Sequence, residues 1–368
     1  MQAKKDRLFC LDALRGLDII FLTWFRRLFV AVAAYFGLLP DWMKAQLRHP
    51  AWEGFTLWDQ IMPCFIFMSG AAVPLALGRF LEAGRPTKKF FSHVCTRFAV
   101  LWILGMFVGG ALTTLDVMQV KPYSNTLQAI ASGYAIAAFV FLIRARWVRF
   151  LFPFALAAIY TMLLAWHADM SPSGNFAQIF EQRAISFLGF PNGAKAYATH
   201  DYTWFLTTLM FGAMALWGAN CTEIVRSSLS WRRKVAFLLL LSGVLTALGL
   251  ASQIWVPCVK HIFTVSFTCR SMGLCVAMLA ALYVVTDVWK FRRGFWIVTL
   301  FGQFALTAYL AANAFMPVTK SFVERFLLPG VKNIVSPGMY DIIFAVAVAI
   351  ALTIVLVVRR RLSKTSLV

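Results

Sequence analysis

The stretch VAFLLLLSGVLTALGLASQIWV, residues 235–256, contains no charged side chain. About 20 consecutive, largely apolar residues are enough to cross the hydrocarbon core of a bilayer as an α-helix. Nine further stretches share this length and apolar character, so we expect ten membrane spans. They lie near residues 11–34, 56–78, 93–114, 125–143, 150–168, 202–221, 235–256, 262–286, 295–316 and 339–358.

The composition of the whole chain supports the same class. Of the 368 residues, 61% are hydrophobic and 14% are charged, whereas soluble domains carry about 45–50% apolar and about 25% charged residues. The 35 phenylalanines and a mean hydropathy of +0.74 exclude a water-soluble globule. We therefore expect an all-α, polytopic transmembrane bundle that forms a single domain over residues 1–368.

The net charge of +20 is explained by orientation in a membrane. Most of the 35 Lys and Arg residues fall in alternate connections and at both termini, which is the bias of cytoplasmic loops. Both termini are therefore predicted to be cytoplasmic, and a nucleic-acid partner is excluded. The connections predicted to face outward are 35–55, 115–124, 169–201, 257–261 and 317–338.

Two smaller observations bear on compartment and metals. The glycosylation sequon Asn220-Cys221-Thr222 lies at a predicted cytoplasmic helix end, where glycosylation does not occur. This favours a bacterial inner membrane. Among the seven cysteines, no CxxC or Cys/His spacing suggests a metal site, so they are interpreted as small buried apolar residues.

The first predicted helix carries three charged residues at a spacing of three, namely Asp12, Arg15 and Asp18. Ionisable groups inside a membrane are costly and are therefore candidates for function. The spacing places Arg15 within reach of both aspartates. The three residues form either a self-neutralising cluster that fixes helix packing or a charged wall of a polar cavity.

The second polar cluster precedes the second span and reads HPAWEGFTLWDQIMP over residues 49–63. Thr56 and Asp59 have the spacing of a capping box that opens a helix. His49 is either a surface residue or a group that exchanges a proton near neutral pH. Trp52 is interpreted either as part of an interfacial aromatic belt or as a wall on which a sugar stacks.

Two further polar residues belong to later spans. Asn125 opens the fourth span and Arg270 lies inside the eighth. Asparagine commonly forms hydrogen bonds between helices. A buried arginine needs an anion or a polar cavity, so Arg270 is the stronger candidate for a binding role.

These motifs resemble those of the heparan-α-glucosaminide N-acetyltransferase family. The segment LDALRGLD, residues 11–18, is similar to the helix-1 signature of that family, and residues 49–70 are similar to its His-x-x-Trp-(Asn/Glu)-Gly…Asp…Pro…Gly block. The form Trp52-Glu53-Gly54 resembles the bacterial branch. Weaker similarities follow in order along nearly the whole chain. The resemblance implies a transmembrane acyltransferase that takes acetyl from cytoplasmic acetyl-CoA and delivers it to a sugar across the membrane.

The resemblance also implies that His49 is the catalytic histidine. We expect it to act as a general base on a sugar amine or hydroxyl, or to carry the acetyl group itself. Glu53 or Asp59 is expected to orient its imidazole, as carboxylates do in catalytic triads.

The other candidate residues are grouped by the reactant that they are expected to contact. Acetyl-CoA is assigned to Arg15, Asn125 and Arg270. The acceptor, an extracytoplasmic sugar or glycan, is assigned to Trp52, Asp12 and Asp18. The lipid bilayer is the remaining partner, and a homodimer stays open.

Two other classes of function are compatible with the same residues. A transporter for a sugar or another small solute would use Asp12, Arg15, Asp18 and Arg270 as a substrate or proton path. The lack of an internal repeat argues against this reading. A structural or assembly subunit would use the buried charges only to fix helix packing.

Overall fold

The computed structural model describes residues 8–82, 85–109, 122–189, 202–313 and 316–365. The basic residues before Leu8 and most of the predicted outward connection 115–124 lie outside this range. Within it, the all-α class is confirmed, because the regular structure is helical apart from one antiparallel pair of two-residue strands, β1 (Leu81–Glu82) and β2 (Arg85–Pro86).

The α-helices follow one another in the order of the predicted spans. Their bounds are α1 Phe9–Ile20, α2 Arg26–Tyr35, α3 Asp41–Gln46, α4 Ile61–Ala71, α5 Val73–Leu77, α6 Lys88–Val108, α7 Thr126–Val140, α8 Arg146–His167, α9 Phe176–Phe187, α10 Thr208–Arg226, α11 Trp231–Ser252, α12 Val265–Leu282, α13 Trp296–Gln303, α14 Ala305–Asn313, α15 Met316–Phe322 and α16 Pro337–Thr365. A π-helical turn, Phe21–Phe25, joins α1 to α2, and a second one, Tyr283–Val288, continues α12.

Six helical segments of the described chain are long and apolar enough to cross a membrane. They are Leu57–Phe80, Lys88–Val108, Arg146–His167, Trp231–Ser252, Val265–Val288 and Pro337–Ser363. A seventh span is formed if α13 and α14 are counted together, although their axes differ by 79°. The backbone leaves the helical region at Phe304, between these two helices (φ −114°, ψ 31°).

The remaining three predicted spans are also helical but are shorter or more polar. Helix α7 has 15 residues, and the segment from α1 to α2 carries Asp12, Arg15 and Asp18. Helix α10 has polar residues such as Asn220 and is almost entirely buried by protein. The multi-pass membrane class therefore stands, while the count of ten spans stays a prediction.

The contacts divide the chain into two compact units. Unit 1 comprises Met1–His49 and Ala281–Val368, and unit 2 comprises Pro50–Ala280. The expectation of a single domain stays a prediction.

In unit 2, helix α10 packs directly against α4 through glycines. A Cβ atom at Gly70 would lie 1.8 Å from the carbonyl oxygen of Ala215, and one at Gly218 would lie 1.9 Å from that of Phe67. Small residues let membrane helices approach until their backbones touch. Helix α10 also contacts α7 and α8, so it forms the centre of this unit.

In unit 1, helices α1 and α13 pack in the same close manner. A Cβ atom at Gly16 would lie 1.8 Å from the carbonyl oxygen of Val298, and one at Gly302 would lie 2.0 Å from that of Asp12. The carboxylate of Asp287 accepts hydrogen bonds from two backbone N–H groups in the first turn of α1, at 3.1 and 2.8 Å. These N–H groups have no partner within the helix.

Candidate active site

The segment that leads into the second span has the predicted capping box. Thr56 is the N-cap of a short 3₁₀ turn, Leu57–Gln60, that precedes α4. Asp59 accepts a hydrogen bond from the Thr56 backbone N–H at 3.2 Å and another from its hydroxyl at 2.8 Å. This expectation is confirmed, and it explains why the Asp59 carboxylate points back toward the start of the turn.

Asp59 also forms a buried ion pair with Lys260. The Lys260 Nζ lies 3.2 Å from the Asp59 Oδ1, and neither side chain is more than 6% exposed. Burial lowers the pKa of Lys260, and the nearby Asp59 carboxylate opposes this shift. Sequence reasoning did not assign a role to Lys260. The feature of the sequence that could have indicated such a role is the position of this lysine within the largely apolar segment 257–263.

The loop before the capping box is joined to the same connection through its backbone. Glu53 and Val259 form an antiparallel bridge, and the Gly54 N–H donates to the carbonyl oxygen of Cys258 at 2.8 Å. Gly54 has a φ of +146°, a backbone conformation that residues with a Cβ atom rarely adopt. Glu53 itself is exposed, while Asp59 is fully buried, so the two carboxylates have different surroundings.

Trp52 packs against an imidazole to which the sequence analysis assigned no role. Its indole ring stacks on His261 with a centroid separation of 5.3 Å and an interplanar angle of 12°. Its Nε1 donates to the carbonyl oxygen of Met170 at 2.9 Å. Tyr202 lies 4.6 Å from the same imidazole, and His261 is buried. We refer to Trp52, Asp59, Tyr202, Lys260 and His261 as the His261 cluster.

Arg270 lies beside this cluster. Its guanidinium lies 4.6 Å from the centre of the Phe55 ring and donates to the Gln253 side-chain oxygen at 2.9 Å. The Cys258 Sγ is 3.9 Å from the same guanidinium. Burial raises the pKa of the Cys258 thiol to about 11, so this cysteine is a neutral thiol at physiological pH.

Glu181 is a buried acidic residue that sequence reasoning also missed. It is 1% exposed, and its Oε2 accepts a hydrogen bond from the Trp204 N–H at 2.5 Å. Its Oε1 has no hydrogen-bond partner among the described residues. Burial raises the pKa of Glu181 to about 8. The available signal was an acidic residue within helix α9, in the longest predicted outward connection.

The remaining predicted site residues are placed elsewhere. Asn125 is the N-cap of α7, where its side-chain oxygen accepts from the Leu127 N–H at 2.9 Å. Asp12, Arg15 and Asp18 lie on α1 in unit 1, and Asp18 is buried. The structure therefore brings together Trp52, Glu53, Asp59 and Arg270, and it places Asn125 in a capping role. The donor-binding and substrate-binding assignments stay predictions.

His49 is exposed and is the last residue of unit 1. It follows the short helix α3, and the Arg26 Nε donates to the carbonyl oxygen of Leu47 at 3.0 Å. This bond attaches the segment before His49 to α2. The catalytic role of His49 stays a prediction.

Within the described residues, no group of three or more His, Cys, Asp or Glu side chains could hold a metal ion. The chemistry available in the His261 cluster is that of a buried cation, a stacked imidazole and aromatic walls. Aromatic rings of this kind stack on apolar faces of ligands, and buried charges fix the orientation of polar groups.

Comparison with known proteins gives two similarities. Residues 7–145 match a family described as a domain of unknown function (DUF5009). Over 107 residues, the chain is 24% identical to the heparan-alpha-glucosaminide N-acetyltransferase of Mus musculus. That alignment covers 29% of this chain and 14% of the mouse protein. The chain is thus distantly similar, over part of its length, to an N-acetyltransferase.

Proposed function

We propose that this protein is a transmembrane acetyltransferase that moves acetyl from cytoplasmic acetyl-CoA to an amine or hydroxyl of an extracytoplasmic sugar or glycan. The observation that carries the proposal is the conformation of residues 52–59. This segment carries the motif that resembles the acetyltransferase family, and it is held against residues 258–261 by a backbone bridge, a stacked indole and a buried ion pair.

The proposed topology has ten spans, with both termini on the cytoplasmic side of a bacterial inner membrane. Contacts within unit 2 support it. Trp52, Met170 and His261 come from three different connections predicted to face outward, and Trp52 contacts both of the others. Residues from the basic connections contact one another as well, as in the ion pair between Arg149 and Glu223 at 2.8 Å.

The reaction requires one proton transfer and one acyl transfer. The acceptor nitrogen or oxygen attacks the thioester carbonyl, a new C–N or C–O bond forms, and the C–S bond breaks to release CoA. His49 takes the proton from the acceptor, and the proton ends on the thiolate of CoA. In the alternative course His49 carries the acetyl group between the two reactants.

The buried pair at Asp59 bears on which carboxylate assists His49. Asp59 already contacts Lys260 and Thr56, while Glu53 is exposed. We therefore assign the orienting role to Glu53 and a structural role to Asp59. Arg270 lies in α12 but contacts Phe55 and Cys258, which belong to connections predicted to face outward. In this proposal it therefore belongs to the thioester end of the donor rather than to its phosphates.

The experiment that tests the proposal uses purified full-length protein in sealed proteoliposomes. Acetyl-CoA is supplied on one side, and a panel of amino sugars is enclosed on the other. We expect acetylated sugar to form across the membrane and free thiol to appear on the donor side. If thiol release is the same with and without acceptor, or if no acetylated sugar forms, the proposal is wrong.

A transporter is the second candidate, and one observation favours it. Helices α13 and α14 meet at a bend of 79°, and broken helices commonly line the substrate sites of secondary transporters. Counterflow of a labelled sugar in proteoliposomes that contain no CoA would support this function. Counterflow is not expected from the acetyltransferase.

A further inference from the structure

A cavity of about 790 Å³ lies in unit 2, at the opposite ends of the helices from residues predicted to face outward. It is formed by residues of α5, α8, α10 and α11. Helix α10 ends at this cavity with Arg226, and helix α8 begins there with Arg146. The cavity therefore lies at the level where helix ends meet the membrane surface.

Most of the cavity wall is apolar, and several of its large apolar side chains are exposed. Trp147 is 70% exposed, Leu151 is 52% exposed and Phe237 is 50% exposed, and all three line the cavity. Tryptophan is enriched at the level of lipid headgroups. A ligand that enters this cavity thus contacts apolar side chains along α8 and α11.

The mouth of the cavity carries cations. Arg146 and Arg226 line it and are exposed. Glu223 is the acidic lining residue, and its charge is compensated by Arg149 at 2.8 Å. Neighbouring segments add more basic residues without a further acidic one, namely Arg144 before α8 and Arg232, Arg233 and Lys234 in the first turn of α11. The local charge is therefore positive.

The two arginines at the mouth differ in their own bonding. The Arg226 guanidinium donates to the carbonyl oxygen of Pro74 at 3.3 Å, which fixes it over the cavity. Arg146 has no hydrogen bond or ion pair to another described residue and remains available to a ligand. An arginine fork is well suited to phosphate oxygens.

We propose that this cavity is a binding site for an anionic phospholipid. Its phosphate would lie between Arg146 and Arg226, and its acyl chains would follow the apolar side chains of Trp147, Leu151 and Phe237. The charge and the apolar wall together favour this occupant, because a zwitterionic lipid gains less from the cations and a soluble anion gains nothing from the wall. Basic pockets between membrane helices bind anionic headgroups in this way. The proposal does not depend on the acetyltransferase activity.

The test is native mass spectrometry of the full chain in detergent micelles that contain equal amounts of phosphatidylglycerol and phosphatidylcholine. We expect the wild-type protein to retain phosphatidylglycerol preferentially. In the double variant Arg146→Gln/Arg226→Gln, we expect retention of phosphatidylglycerol to fall at least about fivefold, because these two cations line the cavity and would contact the phosphate directly.

The matched control is Arg232→Gln/Arg233→Gln, which removes two charges from the same side without altering the cavity lining. It should retain lipid as the wild type does. The single variant Arg146→Gln keeps the Arg226 bond to Pro74, so it remains informative if the double variant does not fold. Helical content by circular dichroism confirms folding in each case.

Four results would overturn the proposal. Equal retention of the two lipids in the wild-type protein would show that the protein does not distinguish an anionic headgroup from a zwitterionic one. Unchanged retention in folded Arg146→Gln and double variants would place the lipid elsewhere. Displacement of the lipid by millimolar inorganic phosphate or adenosine 3′,5′-bisphosphate would indicate a site for soluble phosphates. A change of oligomeric state in the variants, with lipid retention unaltered, would indicate that a second copy of the chain covers the cavity.

Discussion

The ion pair of Lys260 and Asp59 joins the two chain segments that form the candidate active site, residues 52–59 and 258–261. Both side chains are buried, and their charged atoms are 3.2 Å apart. Removing one partner of such a pair leaves an uncompensated buried charge, which typically costs about 3–5 kcal/mol. The stability of the site therefore depends on both residues being present.

We expect Asp59→Asn to lower the thermal unfolding temperature of the detergent-solubilised protein markedly, because Lys260 loses its counter-ion while the cap oxygen at Thr56 is kept. The matched control is Asp41→Asn, which breaks the exposed pair with Lys44 and should leave the unfolding temperature unchanged. Equal unfolding temperatures for Asp59→Asn and the wild type would contradict the structural role of the pair.

Glu181 gives the protein a pH-dependent stability. Burial raises its pKa from the ordinary value of 4.5 to about 8, so between these values the folded protein holds a proton that the unfolded chain has released. Stability must then fall as the pH rises through this interval. We expect the unfolding temperature to decrease between pH 5 and about 8, and this decrease to be smaller in Glu181→Gln.

The comparison of Glu181→Gln with the wild type separates this effect from the titration of histidines, which both proteins share. Glutamine keeps a side-chain oxygen for the Trp204 N–H but cannot ionise. Parallel pH profiles for the two proteins would show that Glu181 does not titrate in this range.

Some of the site could be predicted from single residues, and some could not. The Thr56 and Asp59 capping box follows from a spacing of three, because cap geometry is local. The stacking of Trp52 on His261 joins residues that are more than two hundred positions apart. Such a contact depends on how the connections fold over the helix ends, which residue type and local spacing do not encode.

At the scale of helices, the contact between α4 and α10 decides how unit 2 packs. The backbones meet at Gly70 and Gly218, where a Cβ atom would fall within 2 Å of a carbonyl oxygen. Neither oxygen can move away without displacing its own helix, because it belongs to the backbone. This interface therefore tolerates no larger residue.

We expect Gly70→Ala to abolish the recovery of monodisperse protein or to lower its unfolding temperature strongly. Gly243→Ala is the control, since a Cβ atom there would meet nothing within 4 Å. In that variant a gain of roughly 0.5–1 kcal/mol is expected from the helix preference of alanine over glycine. Size-exclusion chromatography measures the monodispersity of each variant, and thermal unfolding measures its stability. Normal folding of Gly70→Ala would contradict the close contact.

The positions of the helices were largely predictable from the sequence, while their shapes were not. Within the described residues, each apolar stretch of about 20 residues contains helical structure, because a membrane span must satisfy its backbone hydrogen bonds internally. The break at Phe304 carries no proline or glycine signal at that position. Asp287 caps the first turn of α1 from a position more than 270 residues later in the chain. A contact between such distant residues cannot be predicted from a local sequence pattern.

For the whole molecule, composition was enough to predict the membrane class, but not the division into two units. The boundaries at His49/Pro50 and Ala280/Ala281 fall at no shift in composition. The motif that resembles the acetyltransferase family is divided by the first of these boundaries, with His49 in unit 1 and residues 52–59 in unit 2. The catalytic assignment therefore depends on a functional test of His49 itself.

The central claim is tested most directly by acetyl transfer from acetyl-CoA in purified His49→Ala, compared with the wild type and with Arg48→Ala. Arg48 is the exposed neighbour of His49 and has no assigned role in the chemistry. The proposal predicts that His49→Ala loses acetyl transfer while it keeps its fold and its thermal stabilisation by acetyl-CoA, and that Arg48→Ala remains active. Full acetyl transfer in folded His49→Ala would contradict it.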